Sequence, residues 1–371
     1  MNQNYNLWLS CIDGIGIEKA SLLLKYFKTA EEIYKAKPVQ LKSIKLSTNL
    51  IDNIIIAKKT PPEYYSEILS KKNINFISLY DNNYPNLLKE IHNPPLGIYI
   101  LGNLPLIPYI AIVGARLCSE YGILTAIRLS KYFAKKGIGV VSGMAKGIDS
   151  YAHKGALEAN GVTIAVLGCG VDQCYPKENY NLYNKINKCG AIISEYFPGT
   201  LPKPHYFPLR NRIISGISLG TVIVEADINS GSLITADWAL EQGKDVFSVP
   251  GNINSRYSQG TNNLIKQGAM LITHPDDVLS ALNLDEDQYN ILENSTATAN
   301  NHFKDNSETI FLAPDEKLVY YCMSFEPVTV DEIAIKLNID ISQIYFNLTM
   351  LELKGVIERL PGGRYILRNK F

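Results

Sequence analysis

Between Glu195 and Glu225 the chain carries no acidic residue, yet it places Lys203, His205, Arg210 and Arg212 among Tyr196, Phe197, Tyr206 and Phe207. Cations beside aromatic rings suit single-stranded nucleic acid: the charges meet phosphates, and each ring under a base adds about 1 to 3 kcal/mol of stacking. The same residues also suit a buried connection in which Arg210 pairs with a core carboxylate, so the pattern alone leaves both readings open. Three further segments put glycines and hydroxyls where a helix begins. They are Gly114-Ala115-Arg116 leading to Ser119, Ser142-Gly143-Met144-Ala145-Lys146-Gly147-Ile148-Asp149, and Ser230-Gly231-Ser232 ahead of Thr235. Glycine lets a backbone approach an anion, and the free amides of a helix N-terminus favour phosphate. A phosphate-rich ligand is therefore expected.

The standard nucleotide fingerprints fail. No Walker A sequence occurs, and Gly168-Cys169-Gly170-Val171-Asp172-Gln173 carries Gln173 where a dinucleotide fingerprint needs its third glycine. NAD and ATP fit poorly, and no cofactor is expected. Six cysteines (Cys11, Cys118, Cys169, Cys174, Cys189, Cys322) are scattered without a CxxC pair or a Cys/His spacing for zinc, so reduced thiols and no metal site are expected. Across 371 residues, 36 Lys plus Arg balance 36 Asp plus Glu, so binding of a polyanion must come from local clusters rather than a global field. With 46% hydrophobic and 19% charged residues, the composition excludes disorder and collagen-like structure. The polar start Met1-Asn2-Gln3-Asn4-Tyr5-Asn6, and the lack of an apolar run of roughly 18 residues, predict a cytoplasmic protein without a membrane segment.

The elements that must position these residues follow from periodicity. Over 109–282, short apolar runs alternate with amphipathic helices: strands at 110–113, 139–142, 163–167, 191–194, 221–224, 245–249 and 270–272, with helices at 119–136 and 148–159 among them. This predicts an α/β, Rossmann-like doubly wound parallel sheet, whose ligands sit beyond the carboxyl ends of the strands, where the turns above fall. Residues 1–62 read as a helical hairpin (SAM-like, helix-hairpin-helix) domain. Asp13-Gly14-Ile15-Gly16 precedes Ala20, Leu23, Leu24 and Phe27 at helical spacing, and a weaker repeat runs from Leu41 to Ile55. That turn suits either a DNA phosphate or plain packing, since nine lysines against five acidic residues to residue 60 is only mildly basic.

Residues 63–108 read as a connecting segment packed on the core domain, with one helix at 63–71 and one strand at 76–79. Residues 283–314, polar around Asn294-Ser295-Thr296-Ala297-Thr298, read as a flexible linker. Residues 315–371 follow the order of a winged helix. Its candidate recognition helix, 342–354, offers only Lys354 as a cation, while Arg359, Arg364, Arg368 and Lys370 gather toward the wing and tail. That favours a protein-contact module, with duplex DNA as the alternative.

Five blocks occur in one order over residues 84 to about 280: Tyr84-Pro85 through Pro94-Pro95, Ile112-Val113-Gly114-Ala115-Arg116, Ser142 through Asp149, Phe207-Pro208-Leu209-Arg210-Asn211-Arg212-Ile213-Ile214-Ser215, and Ser230 through Ala236. In these the chain resembles the DprA (Smf) family of DNA-processing proteins. The resemblance implies a cytoplasmic bacterial protein that binds single-stranded DNA, assembles as a homodimer or larger complex, and helps load RecA recombinase during natural transformation, with no catalysis. It puts Arg116, Phe207, Arg210, Asn211 and Arg212 in the DNA groove. The family's basic residue three places before the Phe is Pro204 here, which puts Lys203 one step out of register.

In this reading Arg116, Lys203 and Arg210 contact phosphates and Phe207 stacks on a base, while Asn211 and Arg212 fix the loop or bond a base edge. Arg212 is otherwise structural. Ser142, Gly114, Gly143, Lys146 and Gly147 complete the DNA turns, and Ser230, Gly231, Ser232 and Thr235 offer a phosphate site. Asp149 and Glu225 are expected to organise loops. Two rivals remain at this stage. One is a nucleotide-cleaving phosphoribohydrolase of the same superfamily, for which Gly220-Thr221 survives but Glu225 falls one residue late; the other is a duplex-DNA regulator acting through the winged helix.

Overall fold

The structure, a computed structural model, describes residues 3–284, 313–323, 327–337 and 339–367. The chain divides into two compact units, Met1–Asp285 and Glu286–Phe371. The first is built on a nine-stranded sheet: β1 (Asn75–Ser78), β2 (Gly97–Gly102), β3 (Tyr109–Val113), β4 (Gly139–Ser142), β5 (Thr163–Val166), β6 (Ala191–Ser194), β7 (Gly220–Ile223), β8 (Asp245–Ser248) and β9 (Met270–Leu271). Every residue of β3 to β7 is buried, which is why these strands read as continuous apolar runs rather than alternating ones. Helices Glu120–Lys135, Ile148–Glu158, Tyr180–Cys189, Tyr206–Ile217, Leu233–Glu241 and Gln259–Lys266 connect them in turn.

Spatial order is β1-β2-β6-β5-β4-β3-β7-β8-β9, with β3 to β9 parallel. The chain steps outward from β3 to β6 on one side, then returns to place β7 on the other. The crevice between the carboxyl ends of β3 and β7 is thus the topological switch point, where open α/β sheets bind ligands. The doubly wound reading holds, and each strand expected in 109–282 is present.

One expectation needs correcting. Residues 63–108 do more than lie on the core: β1 and β2 extend its sheet, with β2 antiparallel to β6 and Tyr99 opposite Ser194. The Pro94-Pro95 and Gly102-Asn103 punctuation around Ile98-Tyr99-Ile100-Leu101 marks the ends of a buried strand, not a linker. The acid-free stretch contains helix Tyr206–Ile217, buried from Arg210 onward.

In the N-terminal part, Gln3–Ser10 packs on Ala30–Lys35 and Pro62–Lys71, Ile17–Phe27 packs on Ala30–Lys35, and Pro38–Lys42 pairs with Thr48–Ala57. Trp8, Leu23, Ile33, Leu41 and Ile54 make their core. Leu7 of Gln3–Ser10 and Leu69 of Pro62–Lys71 join Tyr99 and Leu167 in a second cluster that ties these helices to the sheet.

In the second unit, helices Pro314–Cys322, Val330–Leu337 and Ile341–Leu353 pack on a small sheet of β10 (Val328–Thr329), β11 (Ile357–Leu360) and β12 (Arg364–Leu367), the arrangement of a winged helix. Val319, Ile333, Ile344, Leu348 and Ile357 form its core. Helix Ile341–Leu353 exposes Tyr345, Phe346 and Leu353, and Lys354 pairs with Glu316 at 2.5 Å. The linker around Asn294–Thr298, and Arg368 and Lys370, lie outside the described residues. Among the described residues no helix is long and apolar enough to cross a membrane, and no cluster of metal-ligating side chains occurs.

Candidate nucleic-acid interface

A groove of about 580 Å³ opens at the switch point. The turn after β3 supplies Gly114, Ala115 and Arg116, the turn after β7 supplies Asp227 and Ser230 to Ser232, and helix Tyr206–Ile217 supplies Phe207, Arg210 and Asn211. With Ala145 and Asp149 beside them, the groove gathers residues from all four segments singled out in the sequence.

Arg116 is exposed and forms no ion pair with a described residue. Phe207 lies over Gly168, just past β5, and its ring meets that of Tyr175 at 5.3 Å and 34°. Tyr175 is itself exposed, so the two rings present an aromatic platform at one end of the groove.

Arg210 forms the floor and is only 5% exposed. Its Nη1 donates to Gly143 O (2.8 Å) and to Val166 O, and its Nε donates to Asn211 Oδ1 (3.1 Å). No described residue takes up Nη2. Burial lowers the guanidinium pKa to about 10, against the pull of Asp149. Asp149 is buried too; desolvation raises its carboxyl, opposed by Arg210 and by the amides of Ala145, Gly114 and Gly143. A buried cation held by carbonyls and one acid keeps fixed positive charge under the groove.

The remaining candidates divide sharply. Asn211 Nδ2 donates to Gly231 O (3.2 Å), tying the Ser230–Ser232 turn to the helix, and Ser230 Oγ and Ser232 Oγ share a hydrogen bond of 2.8 Å. Thr235 lines the same wall but is almost wholly buried. Arg212 points elsewhere, into a bidentate pair with Glu195 (3.0 and 2.6 Å). Lys203 lies outside the groove, 5.4 Å from the Tyr206 ring, which stacks on Tyr196. Lys146 faces a neighbouring depression and pairs with Glu178 at 2.8 Å. Ser142 is fully buried within β4.

The glycines serve the protein's own packing. A Cβ on Gly143 would sit 2.5 Å from the Arg210 guanidinium, and one on Gly147, where φ is +78°, would sit 2.3 Å from Ala115 O. Gly114 is held against Ile148 and the Glu225 carbonyl. Glu225, 2% exposed, accepts from Ser119 N (2.9 Å) and Ser119 Oγ (2.5 Å), which anchors the start of helix Glu120–Lys135. Burial raises its carboxyl, and the Ser119 bonds pull it down.

Sequence reasoning missed Tyr175, Arg256 and Tyr257, all of which line the groove. Tyr175 lies in the Cys169–Gln173 neighbourhood that was weighed only as a failed fingerprint. Arg256 is a single cation in an Asn- and Ser-rich loop, and no local signal marks it.

Fold and groove define a doubly wound α/β protein with a ligand groove at its switch point and a winged helix as a separate unit. Residues 75–283 match the family model of DNA recombination-mediator protein A, and residues 306–363 match the DprA winged helix domain. The Smf protein of Synechocystis sp. is 34% identical over 98% of both chains, and the DNA processing protein DprA of Streptococcus pneumoniae is 43% identical over 55% of this chain and 72% of that one. Among solved structures, DprA from Streptococcus pneumoniae superposes with a TM-score of 0.67 at 35% identity, covering 75% of this chain and 97% of that one. DNA processing protein A from Helicobacter pylori, whose structure was described for a unique single-stranded DNA binding mode, gives 0.51 at 31% identity, covering 56% and 95%. The chain belongs to the DprA/Smf family.

Proposed function

We propose that this protein binds single-stranded DNA in the switch-point groove and helps load RecA recombinase onto it during natural transformation and recombination. The observation that carries this is the meeting, in one groove, of an exposed arginine, an aromatic pair and a buried arginine with an unused donor group: Arg116, Phe207 with Tyr175, and Arg210. Arg116 contacts phosphate at the rim, Phe207 and Tyr175 stack on bases, and Arg210 offers Nη2 from the floor. The single-stranded DNA binding described for the Helicobacter pylori relative supports the same assignment.

The protein acts by binding rather than catalysis in this reading. Both oxygens of Glu225 accept from Ser119, so the glutamate a phosphoribohydrolase would use is occupied in holding a helix start. The winged helix, with apolar side chains exposed on helix Ile341–Leu353 and Lys354 paired, serves protein contact. Cytoplasmic location and assembly as a homodimer or larger complex complete the proposal.

RecA filament growth on single-stranded DNA covered by a single-strand binding protein tests it. The protein is expected to shorten the lag before growth, and Arg116→Ala to restore it. An unchanged lag with folded, DNA-bound protein would remove RecA loading from the account.

A further inference from the structure

We infer that Arg256, held over the ring of Tyr257, is a second phosphate contact that carries the DNA path past the switch point to the end of β8, so that the strand lies across the sheet edge. This rests on the single-stranded DNA reading of the groove.

Both residues line the same groove as Arg116 and Phe207, from the turn that follows β8. That turn is fastened to the segment after β7, where Ala226 N donates to Tyr257 O (2.8 Å) and Gly260 N donates to Ala226 O (2.8 Å), and it is closed on itself by Tyr257 N donating to Ser255 Oγ (3.3 Å). The Arg256 guanidinium sits 5.2 Å from the Tyr257 ring centroid, which orients a planar cation without neutralising it. Arg256 is exposed and has no ion pair with a described residue. Asp227, the exposed acid of the groove, accepts from Ile228 N (2.6 Å).

Sheet order then sets the order of contacts. Phe207 lies at the end of β5, Arg116 follows β3, and Arg256 follows β8, in the run β5-β4-β3-β7-β8. At a strand spacing of about 4.8 Å, four steps separate the aromatic platform from Arg256 by roughly 19 Å, with Arg116 midway. A strand that meets the rings, then Arg116, then Arg256 crosses several nucleotides' worth of surface. A ligand confined to the Phe207 end would never reach Arg256.

A length series of labelled oligo-dT, titrated at several salt concentrations against the full chain, tests this. Wild type is expected to gain affinity with length until the strand reaches Arg256. Arg256→Ala should match wild type on the shortest oligomers that bind and lose the later gain, and its log-log salt slope on poly-dT should fall by about 0.7. Arg256→Lys should restore that slope, whereas Arg116→Ala should weaken every length. A length profile and slope unchanged in Arg256→Ala would overturn the inference while leaving the groove reading intact. Failure of wild type to bind any length would overturn both.

Discussion

Three arginines that the family resemblance assigns to one groove hold three different positions. Arg116 is a solvated cation, Arg210 a buried floor, and Arg212 a strut bonded to Glu195 at both oxygens. Breaking a buried pair leaves an uncompensated charge, at a cost of about 3 to 5 kcal/mol, whereas an exposed side chain without partners changes stability by about 0.5 kcal/mol or less. Urea unfolding should therefore place Arg212→Ala several kcal/mol below wild type and Arg116→Ala beside it; equal stabilities would refute the division. Local sequence shows that cations and rings cluster, but not which ones the fold turns inward. Helical periodicity over Tyr206–Ile217 puts Phe207 and Arg210 toward the groove and Arg212 on another side, and that was legible only once the segment was known to be a helix. His153 makes a separate prediction. Thr163 Oγ1 donates to Val140 O (2.8 Å) and so accepts from His153 Nδ1 (2.7 Å), which sets the tautomer; burial and Arg210 keep the ring neutral by lowering its pKa to about 3. The unfolded chain takes up that proton near pH 6.5, so this contribution is complete above 6.5 and lost as pH falls toward 3. Relative to a non-titrating His153→Gln variant, wild type should lose about 1.4 kcal/mol for each pH unit below 6. Parallel pH profiles of unfolding free energy would contradict it.

At the scale of elements, the groove depends on turns that fit one another. Gly147 precedes helix Ile148–Glu158 at φ +78°, where an added Cβ would run into the carbonyls of Ala115 and Arg116. Alanine there meets both an unfavourable backbone region and a close contact, so Gly147→Ala should cost more than 1 kcal/mol and displace the Arg116 turn. Thermal unfolding and DNA titration should fall together; a loss of stability with wild-type affinity would mean the turn does not carry the binding residues. The parallel strands were legible because strands buried on both faces are unbroken apolar runs between glycines. β2 was not, since prolines and Gly-Asn bracket it like a linker, and its pairing with β6 is non-local. Tyr175 and Arg256 were missed for the same reason: strand order, not sequence neighbourhood, brings them beside Phe207 and Arg116.

For the whole molecule, zero net charge means that DNA affinity must come from where the fold concentrates cations. The switch point does this with Arg116, Arg210 and Arg256 against Asp149 and Asp227. Binding by so few phosphate contacts should have a modest salt slope, and stacking on Phe207 and Tyr175 should persist when salt screens the charges. Duplex DNA offers no unpaired bases to that platform. The most direct test is a fluorescence-anisotropy titration of the full protein with labelled poly-dT and a matched duplex across a salt series, run beside Arg116→Ala and Phe207→Ala. The account predicts preference for the single strand, a slope about 0.7 shallower in Arg116→Ala, and a loss in Phe207→Ala that remains at every salt concentration. Equal or tighter binding of duplex, or single-strand affinity untouched by both substitutions in folded protein, would contradict it.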